Sequence, residues 1–138
     1  MLVKDAMSPQ VEWIAPDICL RDTAKKMETT GVGSLPVEEN DKLIGIITDR
    51  DITCRAIAEA RDAATTSVRE VMSKEINFCY DDQDVAEAAK IMEEKQIRRL
   101  PVLDRDERLV GILTLTDLSL RVEHELADQV TEAVGTRH

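Results

Sequence analysis

The heptapeptide Gly45-Ile46-Ile47-Thr48-Asp49-Arg50-Asp51 has the pattern of a buried strand that turns directly into a helix. Apolar residues form the end of the strand, and a hydroxyl and carboxylates follow where a helix would begin. A related stretch, Gly111-Ile112-Leu113-Thr114-Leu115-Thr116-Asp117, lies 66 residues later. Two copies indicate a duplicated unit, and they predict that its chemistry lies where strand becomes helix.

The duplication extends over almost the whole chain of 138 residues. Val3 to Ser8 matches Val68 to Ser73, and Leu35-Pro36-Val37 matches Leu100-Pro101-Val102, both at an offset of 65 residues. The extra residue of repeat 2 falls in a polar turn, where insertions are tolerated. Within a single pair spanning 1–138, the predicted segments are repeat 1 at 3–60, a linker at 61–67, repeat 2 at 68–122, and a C-terminal helical extension and tail at 123–138.

The hydrophobic period changes in the same order within each repeat. A short extended piece precedes a helix, and two closely joined strands, expected to form an antiparallel hairpin, precede a second helix. Each β-α-β-β-α unit is too small to bury both faces of its sheet. We therefore predict an α/β fold of the α+β type, in which the tandem repeats pack sheet to sheet with pseudo-twofold symmetry. In repeat 1 the second helix is predicted over 49–60, with Ile52, Ala56 and Ile57 facing inward.

The composition excludes several classes of partner. The chain has 28 acidic and 18 basic residues, which argues against binding to nucleic acid or to an anionic membrane surface. Aromatic residues are limited to Trp13, Phe78 and Tyr80. We predict an aliphatic core, and for Trp13 and Phe78 we favour a core position over stacking on a base.

Three widely spaced cysteines, Cys19, Cys54 and Cys79, form no Cys-x-x-Cys pair. That spacing predicts neither a zinc site nor a dithiol redox site, and it favours small buried hydrophobic residues. The chain shows neither the apolar run of a signal peptide nor one of membrane-spanning length. We therefore expect a cytoplasmic protein.

Three motifs, each present twice in the same order, resemble the CBS domain, the module named after cystathionine beta-synthase. In repeat 1 they are Asp5-Ala6-Met7-Ser8, Gly33 to Val37 and Gly45 to Asp51. Repeat 2 carries Val71-Met72-Ser73, Arg98 to Val102 and Gly111 to Asp117. Because the resemblance covers both repeats, the chain is similar to a stand-alone CBS pair, or Bateman module.

The resemblance implies a regulatory sensor that performs no catalysis and requires no cofactor. Such pairs bind adenosine-containing ligands, namely AMP, ADP, ATP, S-adenosylmethionine or NADH, in clefts between the two repeats. They commonly form homodimers through their helices. In the family the clefts are built crosswise, so residues 3–9 would accompany Thr114 and Asp117, while residues 68–74 would accompany Thr48 and Asp51.

The residues of the two turns suit such a ligand. Gly45 and Gly111 would let a base or sugar approach the backbone. Thr48 and Thr114 could bind a phosphate at a helix N-terminus. Asp51 and Asp117 could each accept two hydrogen bonds from the vicinal hydroxyls of a ribose. The alternative is that each threonine and aspartate forms a capping box without a ligand.

Arg98 and Arg99 distinguish the two turns, because repeat 1 has Gly33 and Ser34 in the same places. Either arginine could bind a phosphate bidentately, or it could form a surface ion pair. The turn of repeat 2, or whichever cleft receives Arg99, is therefore predicted to be the better site for a phosphorylated ligand.

Two further alternatives concern partners. The apolar stripe of Leu118, Val122, Leu126 and Val130 could pack on its own domain or on a second subunit. The chain could also be a ligand-free structural or stress-related dimer that acts through an unknown protein partner. An enzyme is not expected, because the only histidines are His124 and His138, neither with a metal or nucleophile partner at useful spacing.

Overall fold

The computed structural model describes residues 1–121, which form a mixed α/β structure, as predicted. Repeat 2 has the predicted first strand, but in repeat 1 it is reduced to a single bridge at Ile14, and each repeat begins with a short helix that was not predicted. The helices are α1 (Val3–Ala6), α2 (Leu20–Thr30), α3 (Asp49–Ile52), α4 (Val68–Val71) and α5 (Val85–Lys95). The strands are β1 (Ser34–Glu39), β2 (Lys42–Thr48), β3 (Cys79–Tyr80), β4 (Arg99–Leu103) and β5 (Leu109–Thr114). A π-helical turn, Thr53–Ile57, follows α3, and residues 115–121 are helical.

The predicted hairpin of repeat 1 is confirmed. Strands β1 and β2 pair antiparallel, with Ser34 opposite Thr48 and Val37 opposite Gly45. Asn40 and Asp41 form the turn with φ values of 54° and 63°. Two successive left-handed residues match the twist of the flanking strands, so this polar turn sets the register of the strand that ends at Thr48.

The second sheet has the order β3-β4-β5, and β3 runs parallel to β4 with Cys79 opposite Val102. In repeat 1 the equivalent contact is a single parallel bridge between Ile14 and Val37. Ile14 and Cys79 are 65 residues apart, and so are Val37 and Val102. The structure therefore reproduces the offset seen in the sequence.

The contacts group the chain differently from the sequence repeats. One compact unit, here the α2 unit, contains residues 11–76 and 106–109, and the other, the α5 unit, contains residues 1–10, 77–105 and 110 onward. The core of the α2 unit includes Val68 and Val71 from α4. The core of the α5 unit includes Val3 and Ala6 from α1. Each short helix thus completes the core of the other repeat.

The helix after β2 departs from the prediction at Ile57, whose side chain is 61% exposed, whereas Ala56 is buried. The backbone N–H of Ala58 donates to the carbonyl of Thr53 (2.9 Å), five residues earlier. A π turn holds more residues than an α turn and so rotates the residues after it. The prediction that Ile57 faces inward is therefore wrong.

Two other side chains lie outside the core. Trp13 is 44% exposed, so its predicted core position is wrong; the Lys26 ammonium accompanies its ring, 6.0 Å from the centroid. Cys54, on the π turn, is also exposed, whereas Cys79 is buried as predicted. Both exposed residues lie in the α2 unit, whose core is filled by aliphatic side chains.

Of the apolar stripe after β5, Leu118 is buried. Val122, Leu126 and Val130, the predicted extension at 123–138 and both histidines lie outside the described residues. Within residues 1–121, no helix has the length and apolar character needed to cross a membrane.

Candidate functional site

The first strand-to-helix turn closes on itself through a capping box. The backbone N–H of Asp51 donates to Thr48 Oγ1 (3.0 Å), and the backbone N–H of Thr48 donates to Asp51 Oδ2 (3.0 Å). This is the ligand-free alternative considered for these residues. One carboxylate oxygen of Asp51 is thereby committed to the backbone.

Residues 71–73 lie against this turn within the α2 unit. Ile46 and Ser73 exchange two backbone hydrogen bonds of 2.9 Å each. A Cβ built on Gly45 would lie 2.7 Å from Met72 Sδ and 2.8 Å from the Ser73 carbonyl oxygen. Gly45 therefore permits the close approach of this segment, which is a structural task distinct from the predicted access for a ligand.

Arg55 completes what we call the Asp51 site, formed by Thr48, Asp51, Arg55 and residues 71–73. Its Nη1 donates to the carbonyls of Val71 (3.3 Å) and Met72 (3.4 Å). Its Nε lies 3.8 Å from Asp51 Oδ1, and the Arg55 side chain is 54% exposed against 15% for Asp51. One guanidinium thus joins the helix to the segment opposite it.

The second turn has the same framework within the α5 unit. The backbone N–H of Asp117 donates to Thr114 Oγ1 (3.0 Å), and Ser8 and Ile112 exchange backbone bonds of 2.8 and 2.9 Å. A Cβ on Gly111 would lie 2.5 Å from Met7 Sδ and 2.8 Å from the Ser8 carbonyl oxygen. In both units the geometry therefore has the crosswise arrangement that the resemblance implied.

The second turn borders an open cavity of about 370 Å³. We call it the Asp117 site, and its lining residues are Ala6, Met7, Ser8, Pro9, Asp117, Leu120 and Arg121. Within the described part of the chain, the Asp117 carboxylate has neither a hydrogen bond nor an ion pair. A half-buried carboxylate on a cavity wall is a strong acceptor for the hydroxyl or amino groups of a ligand.

Arg98 and Arg99 lie near the second turn but do not line this cavity. The Arg98 carbonyl accepts from the backbone N–H of Leu115 (2.8 Å), which places both arginines beside the helix that begins after Thr114. Both side chains are exposed. Among residues 1–121 neither guanidinium has an ion pair, so the alternative of a surface pair with a described residue is not realised.

The structure also brings Arg55 and Arg121 to the sites, although the motif comparison did not select them. Each lies four residues after the site aspartate, and the two share the 66-residue offset of the turns. A search for basic residues one helical turn beyond the motif would have found both. In the part of the chain that the structure covers, no group of three or more metal-binding side chains occurs.

Comparison with known proteins places this geometry in a family. The family model described as "CBS domain" matches residues 3–56 and again residues 68–124. The CBS domain-containing protein YhcV of Bacillus subtilis is 41% identical over 118 residues, covering 86% of this chain and 83% of YhcV.

Solved structures with the same fold include Hypoxic Response Protein I and the CBS domain pair of protein MJ0100. The crystal structure of Hypoxic Response Protein I with two coordinated zinc ions has a TM-score of 0.79 and 31% identity, covering 88% of this chain and 98% of the other. The Mycobacterium tuberculosis protein of that name is 30% identical over 132 residues, covering 95% of this chain and 92% of the relative.

The CBS domain pair of protein MJ0100, solved in complex with 5′-methylthioadenosine and S-adenosyl-L-methionine, has a TM-score of 0.74 and 31% identity over 88% of this chain and 99% of the other. The duplicated family match, the crosswise segments and the two strand-to-helix turns agree with one another. The chain therefore belongs to the CBS domain family and carries two CBS repeats.

Proposed function

We propose that this protein is a regulatory module that binds an adenosine-containing ligand at the Asp117 site and performs no catalysis. The observation that carries the proposal is the cavity of about 370 Å³ with a carboxylate that no described residue pairs. Support comes from the related MJ0100 pair, which was solved with two adenosine compounds. The charged side chains that line this site are one aspartate and one arginine, which is consistent with ligand binding without catalysis.

The cavity wall offers a complementary group for each part of such a ligand. The volume falls in the range of small-molecule sites, roughly 300–1,000 Å³. Asp117 can accept both vicinal hydroxyls of a ribose, and Met7 and Leu120 supply apolar surface for a flat base. Arg121 can bind a phosphate or a carboxylate. In this proposal Arg98 and Arg99 supply further positive charge beside the helix that begins after Thr114.

The Asp51 site is proposed as a second and weaker site for the same class of ligand. Its carboxylate already accepts the Thr48 N–H and faces Arg55, so a ligand must replace an existing contact. The role proposed for Asp51 in binding therefore depends on a rearrangement that Asp117 does not need, whereas Thr48 and Gly45 make the same contacts as Thr114 and Gly111.

A thermal-shift panel with AMP, ADP, ATP, S-adenosylmethionine, 5′-methylthioadenosine and NADH tests the proposal. A ligand present at 100 times its Kd stabilises the folded state by about 2.7 kcal/mol. For a domain of this size, that raises Tm by several degrees, on the order of 4–15 °C. Asp117→Asn keeps the shape of the side chain but removes the charge, and we expect it to abolish most of the shift.

Asp22→Asn, on the exposed face of α2, is the matched control and should respond like the wild type. A flat response to all six compounds would contradict the proposal. An equal response in Asp117→Asn and wild type would place the ligand elsewhere.

We also propose that the chain forms a homodimer, since Ile57 (61%) and Leu115 (41%) are exposed on segments that follow the two strand-to-helix turns. Ile57→Lys should then lower the mass measured by light scattering toward that of a monomer. If no adenosine compound binds and the dimer persists, the alternative of a structural dimer with a protein partner is favoured. Capture of one stoichiometric partner by the wild type, lost in Ile57→Lys, would support that alternative.

A further inference from the structure

Within the Asp51 site, the acceptor groups are already in contact with a side chain of the site, Arg55. The Arg55 guanidinium reaches three acceptors: the carbonyls of Val71 (3.3 Å) and Met72 (3.4 Å), and the Asp51 carboxylate (3.8 Å). All of these groups belong to the α2 unit. A guanidinium offers only donors, so it uses the acceptors of this site without supplying any new one.

A nucleoside requires the same kind of acceptors. Its sugar hydroxyls and exocyclic amino group are donors, and the carboxylate and two carbonyls that Arg55 holds are the complementary groups. Arg55 and a nucleoside therefore compete for Asp51 and the facing backbone. Each of these oxygens has more than one lone pair, so the competition that we infer is for the space in front of the acceptors, where the Arg55 guanidinium lies at 3.3 to 3.8 Å.

The Asp117 site shows the same framework, and Ala6, Met7 and Asp117 line its cavity. Arg121 is the counterpart of Arg55 at the 66-residue offset, and Ala6 and Met7 are the counterparts of Val71 and Met72. There, Arg121 lies on the wall of the cavity beside Met7 and Asp117. Among described residues its guanidinium has no hydrogen bond to that segment and no ion pair.

We propose that Arg55 is a built-in competitor that occludes the Asp51 site, so that the two sites of the module differ in affinity for the same ligand. The inference rests on the proposed function, since it assumes that the family of ligands is adenosine-containing. Arg55 binds through one distant ion pair and two long hydrogen bonds, and its side chain is half exposed. Such contacts are weak enough to be displaced, so the site opens at higher ligand concentration.

The occlusion by Arg55 should raise the apparent Kd of the Asp51 site by a measurable factor. If Arg55 occupies the site about nine-tenths of the time, the apparent Kd is about tenfold higher than that of the open site. Arg55→Met keeps much of the length of the side chain but removes every donor. Arg55→Lys retains the positive charge and some donor capacity, and it should give an intermediate value.

Isothermal titration with 5′-methylthioadenosine is the decisive experiment. This probe carries no net charge, so removing an arginine does not change its long-range attraction to the protein. In an Asp117→Asn background, which disables the other site, Arg55→Met should lower the Kd about tenfold. Adding Asp51→Asn should remove that gain. Arg21→Met, an exposed arginine on α2, is the control for loss of a positive charge.

The outcomes separate the two proposals. Equal or weaker binding in Asp117→Asn/Arg55→Met than in Asp117→Asn overturns the role of Arg55, while Asp117-dependent binding in the wild type would leave the proposed function standing. Tight binding in the double variant with none in the wild type would support the role of Arg55 and contradict the Asp117 site. No binding of this compound to any variant overturns the role of Arg55, and the proposed function is overturned with it if none of the six compounds raises Tm.

Discussion

At the scale of single residues, glycine is required at positions 45 and 111 because a second backbone segment passes close beside each of them. A Cβ on Gly111 would meet the Ser8 carbonyl oxygen at 2.8 Å, and that oxygen accepts the Ile112 N–H in a paired bridge. The glycine therefore lets a strand end and a facing segment approach closely enough to bond. Each candidate site is held together at this point.

Gly111→Ala should consequently destabilise the protein by about 1–3 kcal/mol, the range for overpacking. Denaturant unfolding measures the difference. Met7→Ala removes one of the two close atoms but leaves the Ser8 carbonyl in place. The double variant Met7→Ala/Gly111→Ala should therefore regain less than the full loss, and complete rescue would contradict the role given to the backbone.

The three cysteines should differ in reactivity because of their surroundings. Burial raises the pKa of the Cys79 thiol to about 12, so almost no thiolate forms at neutral pH. Cys54 is exposed on the π turn. Brief iodoacetamide treatment at pH 8 should modify Cys54 first and leave Cys79 unmodified until the protein unfolds, as read by peptide mass spectrometry. Early modification of Cys79 would contradict its placement in the core.

At the scale of elements, the short helix α4 depends on its first turn. The backbone N–H of Ser67 donates to Glu70 Oε2 (2.7 Å), and the Ser67 hydroxyl lies 3.3 Å from the same oxygen. This bond to the backbone, with smaller contributions from the Ser67 hydroxyl and Arg61, lowers the pKa of Glu70 below its usual 4.5. Because α4 supplies Val68 and Val71 to a core, the cap stabilises more than four residues.

The depressed pKa predicts the direction of a pH effect. A carboxyl with a lower pKa in the folded state contributes stability above its unfolded pKa and loses it as pH falls through the folded pKa. Glu70→Gln should therefore lower Tm at pH 7, and the difference from wild type should vanish once the pH falls well below 4.5. Tm measured from pH 7 to acid, with Glu28→Gln as an exposed control, tests this. A constant difference at every pH would contradict it.

At the scale of the whole molecule, the core of each compact unit includes a short helix that belongs in sequence to the other repeat. Val71 belongs to repeat 2 in sequence but to the α2 unit in space, and Val3 belongs to repeat 1 in sequence but to the α5 unit. We expect this arrangement to make the folding of the two repeats interdependent. It also brings the facing segments to both candidate sites.

Amide hydrogen exchange on the full chain tests whether each short helix stabilises the core of the other repeat. Val71→Ala removes two buried methyl groups, worth about 1.6 kcal/mol, and should speed exchange about tenfold in α2 and β2. Val3→Ala should do the same in α5 and β5. Each variant serves as the control for the other. Loss of protection confined to the mutated residue's own sequence repeat would contradict the grouping.

The sequence by itself determined the features that depend on neighbouring residues and on repetition. The two repeats, the β1–β2 hairpin, and the threonine and aspartate of each turn follow from local periodicity and turn chemistry. The motifs also sufficed to identify the family. These signals survive in the sequence because strand alternation, helical spacing and caps act over a few residues.

Only the tertiary structure decided what surrounds each of these residues. It shows Asp51 in a capping box beside Arg55 and Asp117 on an open cavity, although the two motifs are equivalent in sequence. It also shows the exposure of Trp13 and the outward turn of Ile57. Such differences arise from contacts between residues far apart in the chain and from one π turn that shifts the helical phase, and local sequence patterns do not record either.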